Sequence, residues 1–163
     1  MGLRIDALHL SLIMERRARE LALAFPDLIT YTSGRRDAQA QAHAMAVNHL
    51  QDPRSYLLRQ YVHGGEFLVQ LRDNPAADSV DEVTEVFYET LLARPELIRS
   101  PHLTGDAVDR RPLEQADGQP TGQGILVIQW IRRCPDTVDF RTREGSLRRW
   151  HWACRAVERS MEV

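Results

Sequence analysis

The residues best equipped for chemistry lie in Ser100-Pro101-His102-Leu103-Thr104-Gly105-Asp106-Ala107-Val108-Asp109. An imidazole at His102 and a carboxylate at Asp109, seven positions apart, are donor types that bind a borderline divalent cation such as zinc. Gly105 permits the backbone to turn between them, and the alternation that follows predicts a short strand returning Asp109 as an oxygen ligand. His-Asp pairs are common on protein surfaces, so the spacing alone leaves a solvated pair open beside the metal reading. Further on, Trp150-His151-Trp152 contains the last His of the chain. Taken by itself it reads first as an aromatic core strand.

Written as Ser-x-His-x-x-Gly-x-Ala-x-Asp, the first stretch resembles the signature of the zinc D-Ala-D-Ala dipeptidases and carboxypeptidases and the L-alanyl-D-glutamate endopeptidases. That family includes phage endolysins and shares its fold with the hedgehog signalling domain. The resemblance implies an α+β chain with a small antiparallel sheet and flanking helices. It also implies Zn2+ held by His102, Asp109 and the His of a late Trp-His motif, here His151, with the fourth position left for chemistry. Upstream, Ser33-Gly34-Arg35-Arg36 resembles the family's Ser-Gly-x-Arg. This implies that Arg36, with Arg35 beside it, meets the substrate carbonyl, where a fixed positive charge stabilises an oxyanion. The three motifs occur in the family's order across residues 33 to 151.

One position departs from the pattern. The family places a Glu or Asp three residues before the last His ligand, as general base and then acid; here that residue is Arg148. A guanidinium cannot take a proton from water, and a dication repels it. Either the base has moved or activity has been lost. Glu144, seven residues before His151, is the nearest carboxylate and the candidate base; the other reading makes it a turn residue paired with Arg143 or Arg148. Asp106 and Asp139 are weaker substitutes. His43 and His49 lie six apart on one predicted helix and face different ways. With His9 and His63 they read as structural or surface residues.

The elements that must position these groups follow from periodicity. Ile5 to about Leu21 predicts an amphipathic helix ending before Pro26, and Leu28 to Thr32 a strand closed by Ser33-Gly34. Asp37 to Leu50 predicts a second helix, Ser55 to about Arg72 carries helical spacing broken at Gly64-Gly65, and Asp78 or Ser79 caps a strong helix. Its buried stripe is expected at Val80, Val83, Val86, Phe87, Leu91 and Leu92, with Asp81, Glu82, Glu85 and Glu89 solvated. Residues 114 to 124 read as loop and Ile125 to Arg133 as a helix. The end predicts a hairpin, Thr137 to Thr142 and Leu147 to Cys154 about a turn at Glu144-Gly145-Ser146. The expected organisation is one zinc-peptidase-like domain over residues 1–163 with a helical insertion at about 37–99.

Composition narrows the partners. The 163 residues are 43% apolar, enough for one sizeable core. All 21 basic residues are Arg, balanced by 23 acidic ones to a net charge of −2. With no basic face, nucleic acid is not an expected partner. Cys134 and Cys154 are too far apart for a metal knuckle and too few for a disulfide framework, which fits a reducing compartment. No stretch approaches the roughly 18 apolar residues of a membrane span, and the N-terminus does not read as a signal peptide, so no membrane association is expected.

Taken with the resemblance, these features lead to an expected zinc metallopeptidase that cuts peptidoglycan stem peptides, as a phage-encoded lysin or virion-associated wall hydrolase. Its place would be the cytoplasm of an infected bacterium or the phage virion. The alternative is a catalytically degenerate structural protein of a phage tail or virion that contacts other virion proteins.

Overall fold

The computed structural model describes residues 2, 4–51, 79–96, 100–143 and 148–155. The chain divides into two compact units, one of Met1–Arg35 with Thr104–Val163, the other of Arg36–Leu103. The second occupies nearly the span read from the sequence as a helical insertion.

The first unit is built on a four-stranded antiparallel sheet in the order β1-β2-β4-β3, with β1 Tyr31–Ser33, β2 Ala107–Arg110, β3 Thr137–Arg141 and β4 Trp150–Cys154. Helices α1 (Leu12–Ala24) and α5 (Gly122–Arg133) contribute to the same core. Val108, Trp150, Trp152 and Cys154 from the sheet meet Met14, Ala18 and Leu21 of α1 and Val127, Ile128 and Ile131 of α5. These positions recur every three or four residues in the helices and every second residue in β4, as one buried face requires. Trp130 and Phe140 pack edge-on against Trp152 and Trp150.

The first predicted helix is split. Ile5–Leu8 forms a 3₁₀ turn, His9 takes a left-handed conformation at φ 50°, and α1 starts only at Leu12. The break frees the Ser11 N–H, which donates to the Gly105 carbonyl at 3.0 Å. Gly105 itself sits at φ +81°, and a Cβ there would meet the His9 carbonyl oxygen at 2.9 Å. A side chain is excluded at this crossing by both conformation and space.

In the second unit α2 (Ala38–Gln51) packs on α3 (Val80–Ala93) through Ala42, Met45, Ala46, Val83, Phe87 and Leu91. Ser79, one of the two expected caps, closes a capping box with Glu82. Leu92, expected in the buried stripe, is instead 61% exposed, while Asp81, Glu82, Glu85 and Glu89 are solvated as expected. His49 is buried edge-on against Phe87, and His43 is exposed. The helical segment expected from Ser55 to Arg72, with His63, lies outside the described residues.

Arg110 is the costly residue of the first core. Its side chain is fully buried, none of its three guanidinium nitrogens finds a hydrogen-bond acceptor, and it stacks 4.7 Å from the Trp150 ring centroid. Burial pushes the guanidinium down to about 10. The folded value lies below the unfolded one, so folding disfavours the charged form; at neutral pH the group is charged in both states and the full desolvation cost stands. Arg110→Met, which keeps an unbranched side chain over Trp150, is expected to stabilise the fold by about 1–4 kcal/mol. That corresponds to a thermal midpoint higher by about 2–16 °C. A lower midpoint would show that the cation-π contact outweighs desolvation.

Candidate metal centre

Register decides which side chains share the free face of the sheet. β2 and β4 pair with Asp109 opposite His151 and Ala107 opposite Ala153, while Val108 and Arg110 oppose Trp152 and Trp150 on the core face. Two large indoles flank His151, so their burial turns the imidazole to the other side. In β1 the register shifts between Tyr31 and Ser33: Tyr31 opposes Arg110, and Ser33 opposes Asp109. That irregularity lets Tyr31 enter the core, its hydroxyl donating to the Ala18 carbonyl at 2.8 Å, while Ser33 joins the Asp109 face.

His102 arrives from a different element. Pro101–Thr104 forms a single helical turn, α4. Pro101 suits a first helical position, and the Ser100 carbonyl accepts from the Leu103 N–H at 3.0 Å. The His102 carbonyl accepts from the Arg36 N–H at 2.9 Å. Gly105 and Asp106 then lead into β2, with the Thr104 hydroxyl donating to Asp106 Oδ2 at 2.5 Å.

His102, Asp109 and His151 are all buried, and each offers one ligand atom, all within 4.8 Å of one another. His151 Nδ1 and Asp109 Oδ1 lie 3.1 Å apart. That is hydrogen-bond distance, and it brings a ring nitrogen and a carboxylate oxygen side by side. Asp109 Oδ2 accepts from the Ser33 hydroxyl at 2.6 Å and from Arg149 Nη1 at 3.2 Å. These donors fix the carboxylate plane with Oδ1 toward the imidazole, the supporting role that orients metal-binding carboxylates. Two buried imidazoles and a buried carboxylate are donor types that bind divalent metal ions. The group can hold a metal ion.

The other sequence candidates fall as follows. Arg36 is half-buried, with Nη1 donating to Gln41 Oε1 at 3.2 Å, and Arg35 is exposed. Glu144 lies outside the described residues. Arg148 is exposed and donates to the Ala116 carbonyl at 3.3 Å. Asp106 is buried and bound by Thr104, and Asp139 is ion-paired with Arg141 at 2.8 Å. The contacts of Ser33 and Arg149 with Asp109 were not foreseen. Ser33 carried a signal as the first residue of Ser-Gly-x-Arg, whereas Arg149 carried none.

No protein-family model matches the chain, and neither a curated protein nor a solved structure does.

Titration of the metal-free protein with zinc is expected to saturate at about one ion per chain. His102→Ala and Asp109→Asn should each abolish stoichiometric binding, and Ser33→Ala should weaken it about 10–100-fold while leaving the stoichiometry unchanged. Full zinc content in His102→Ala would remove that residue from the site.

Proposed function

We propose that the chain is a zinc-dependent peptidase of the hedgehog/DD-peptidase type, acting on the stem peptides of peptidoglycan. The observation that carries this reading is the buried cluster of His102, Asp109 and His151. His102 and Asp109, seven positions apart, and the remote His151, all in stretches that resemble motifs of that family, supply the donor types that a hydrolytic zinc requires. The small antiparallel sheet with flanking helices is compatible with the same family. The proposed setting is a phage lysin or a virion-associated wall hydrolase.

In this reading His102, Asp109 and His151 hold the cation, while Ser33 and Arg149 keep the Asp109 carboxylate in place. A bound zinc ion supplies Lewis acidity, polarising a peptide carbonyl and making water a better nucleophile. Arg36 supplies the fixed cation for the oxyanion that develops as the carbonyl is attacked. Glu144 takes the proton from the attacking water and returns it to the departing amine. Arg148 takes no part in proton transfer.

Arg148 also supports a second reading, in which the fold and its metal persist in a structural protein of a phage tail or virion. The two differ in one assay. Zinc-loaded protein incubated with a synthetic stem pentapeptide or purified cell wall is expected to release new amino groups, and chelation should stop the release. Glu144→Ala should slow it about 10²-fold or more with zinc content unchanged. Stoichiometric zinc without cleavage of any stem peptide would overturn the peptidase reading and leave the structural one.

A further inference from the structure

A second feature of the first unit lies apart from the metal chemistry. A cleft of about 410 Å³ opens beside α1 and α5, within the size range of small-molecule sites. Its walls are Phe25, Leu126, Trp130 and Pro135. Leu126 is 55% exposed. A recess of this kind takes up a compact apolar body more readily than it takes up a flat protein surface.

Two guanidinium groups border the cleft, and they are not equivalent. Arg17 is committed: it donates to Glu20 Oε2 at 2.5 Å, and its Nη2 lies 2.6 Å from Asp136 Oδ2. Those carboxylates neutralise it. Arg133, exposed at the end of α5, is paired with no carboxylate among the described residues. Its charge complements the carbonyl end of α5, a role that solvent-exposed arginines fill without an apolar cleft beside them. The cleft therefore combines an apolar interior with one cation available at its rim.

We propose that this cleft binds a small amphiphilic carboxylate, such as an alkanoate, with its hydrocarbon chain on Phe25, Leu126 and Trp130 and its carboxylate on Arg133. One available guanidinium matches one carboxylate, which it can engage through two parallel N–H donors. The site is independent of the peptidase reading, because none of its residues belongs to the metal cluster or to the side chains that orient it.

Cys134 provides the readout. It lines the cleft and is half-buried, whereas Cys154 is buried and its thiol is pushed up to about 12 by that burial. A thiol reagent at neutral pH therefore reports on Cys134. Octanoate is expected to slow modification of Cys134 in the full chain and to bind with a dissociation constant on the order of 0.1 mM by calorimetry. 1-Octanol, with the same chain length and no charge, should bind about tenfold more weakly. Arg133→Gln should bring octanoate down to the level of 1-octanol, and Leu126→Asp, at an exposed position, should abolish binding of both.

Equal affinity for octanoate and 1-octanol would overturn the carboxylate assignment, and failure of octanoate to protect Cys134 would overturn the site. Protection that grows with protein concentration in the absence of octanoate would place a second copy of the chain in the cleft and also overturn it.

Discussion

The antiparallel ladder between β2 and β4 sets Asp109 directly across from His151, and the rest of the site depends on that register. Side chains alternate with a period of two, so a slip of one residue would send the imidazole into the core and bring an indole to the free face. The register is held by what the opposite face buries. Trp150 and Trp152 are fully enclosed and pack against Phe140 and Trp130. Their indole N–H groups donate to Glu114 Oε1 at 2.8 Å and Thr137 Oγ1 at 2.9 Å. Misplacing two large aromatic residues together with their hydrogen bonds would be far more costly than any gain from moving a histidine. The hydrophobic core thus holds Asp109 and His151 in position.

Around that ladder, small irregularities aim the supporting groups. The register shift after Tyr31 rotates Ser33 onto the Asp109 face, and a second one between Thr137 and Asp139 leaves Thr137 bonded to Trp152 within the core. The left-handed Gly105 lets the chain cross beside His9 and Ser11 before β2 begins. Arginine, the sole basic residue type in the chain, serves several purposes here. Arg149 donates to the Asp109 carboxylate, Arg17 ties α1 to Asp136, and Arg110 lies buried over Trp150 at a cost to stability.

Much of this was legible in the sequence because periodicity and capping report local physics. The span of α2, the Ser79 cap of α3, the helix through Ile125–Arg133 and the strands of the last hairpin all follow from spacing and turn residues. The grouping of His102, Asp109 and His151 was expected from the stretches in which they lie. Tertiary effects were not. The helix expected from Ile5 breaks at His9, beyond which the Ser11 N–H donates to the carbonyl of a distant glycine. Leu92 lies at the edge of an apolar stripe whose width depends on the partner helix, and it remains exposed. The bonds of Ser33 and Arg149 to Asp109 depend on a register shift and a cross-strand approach that have no local signature.

The central claim is that His102, Asp109 and His151 together ligate one metal ion. Zinc K-edge absorption spectroscopy on the zinc-loaded protein tests it most directly, because the spectrum counts imidazole ligands and distinguishes nitrogen or oxygen from sulfur. The predicted result is a four-coordinate nitrogen and oxygen shell at about 2.0–2.1 Å, with multiple scattering from two imidazoles that falls to one in His151→Ala. A sulfur shell at about 2.3 Å, or an imidazole count that His151→Ala leaves unchanged, would contradict it.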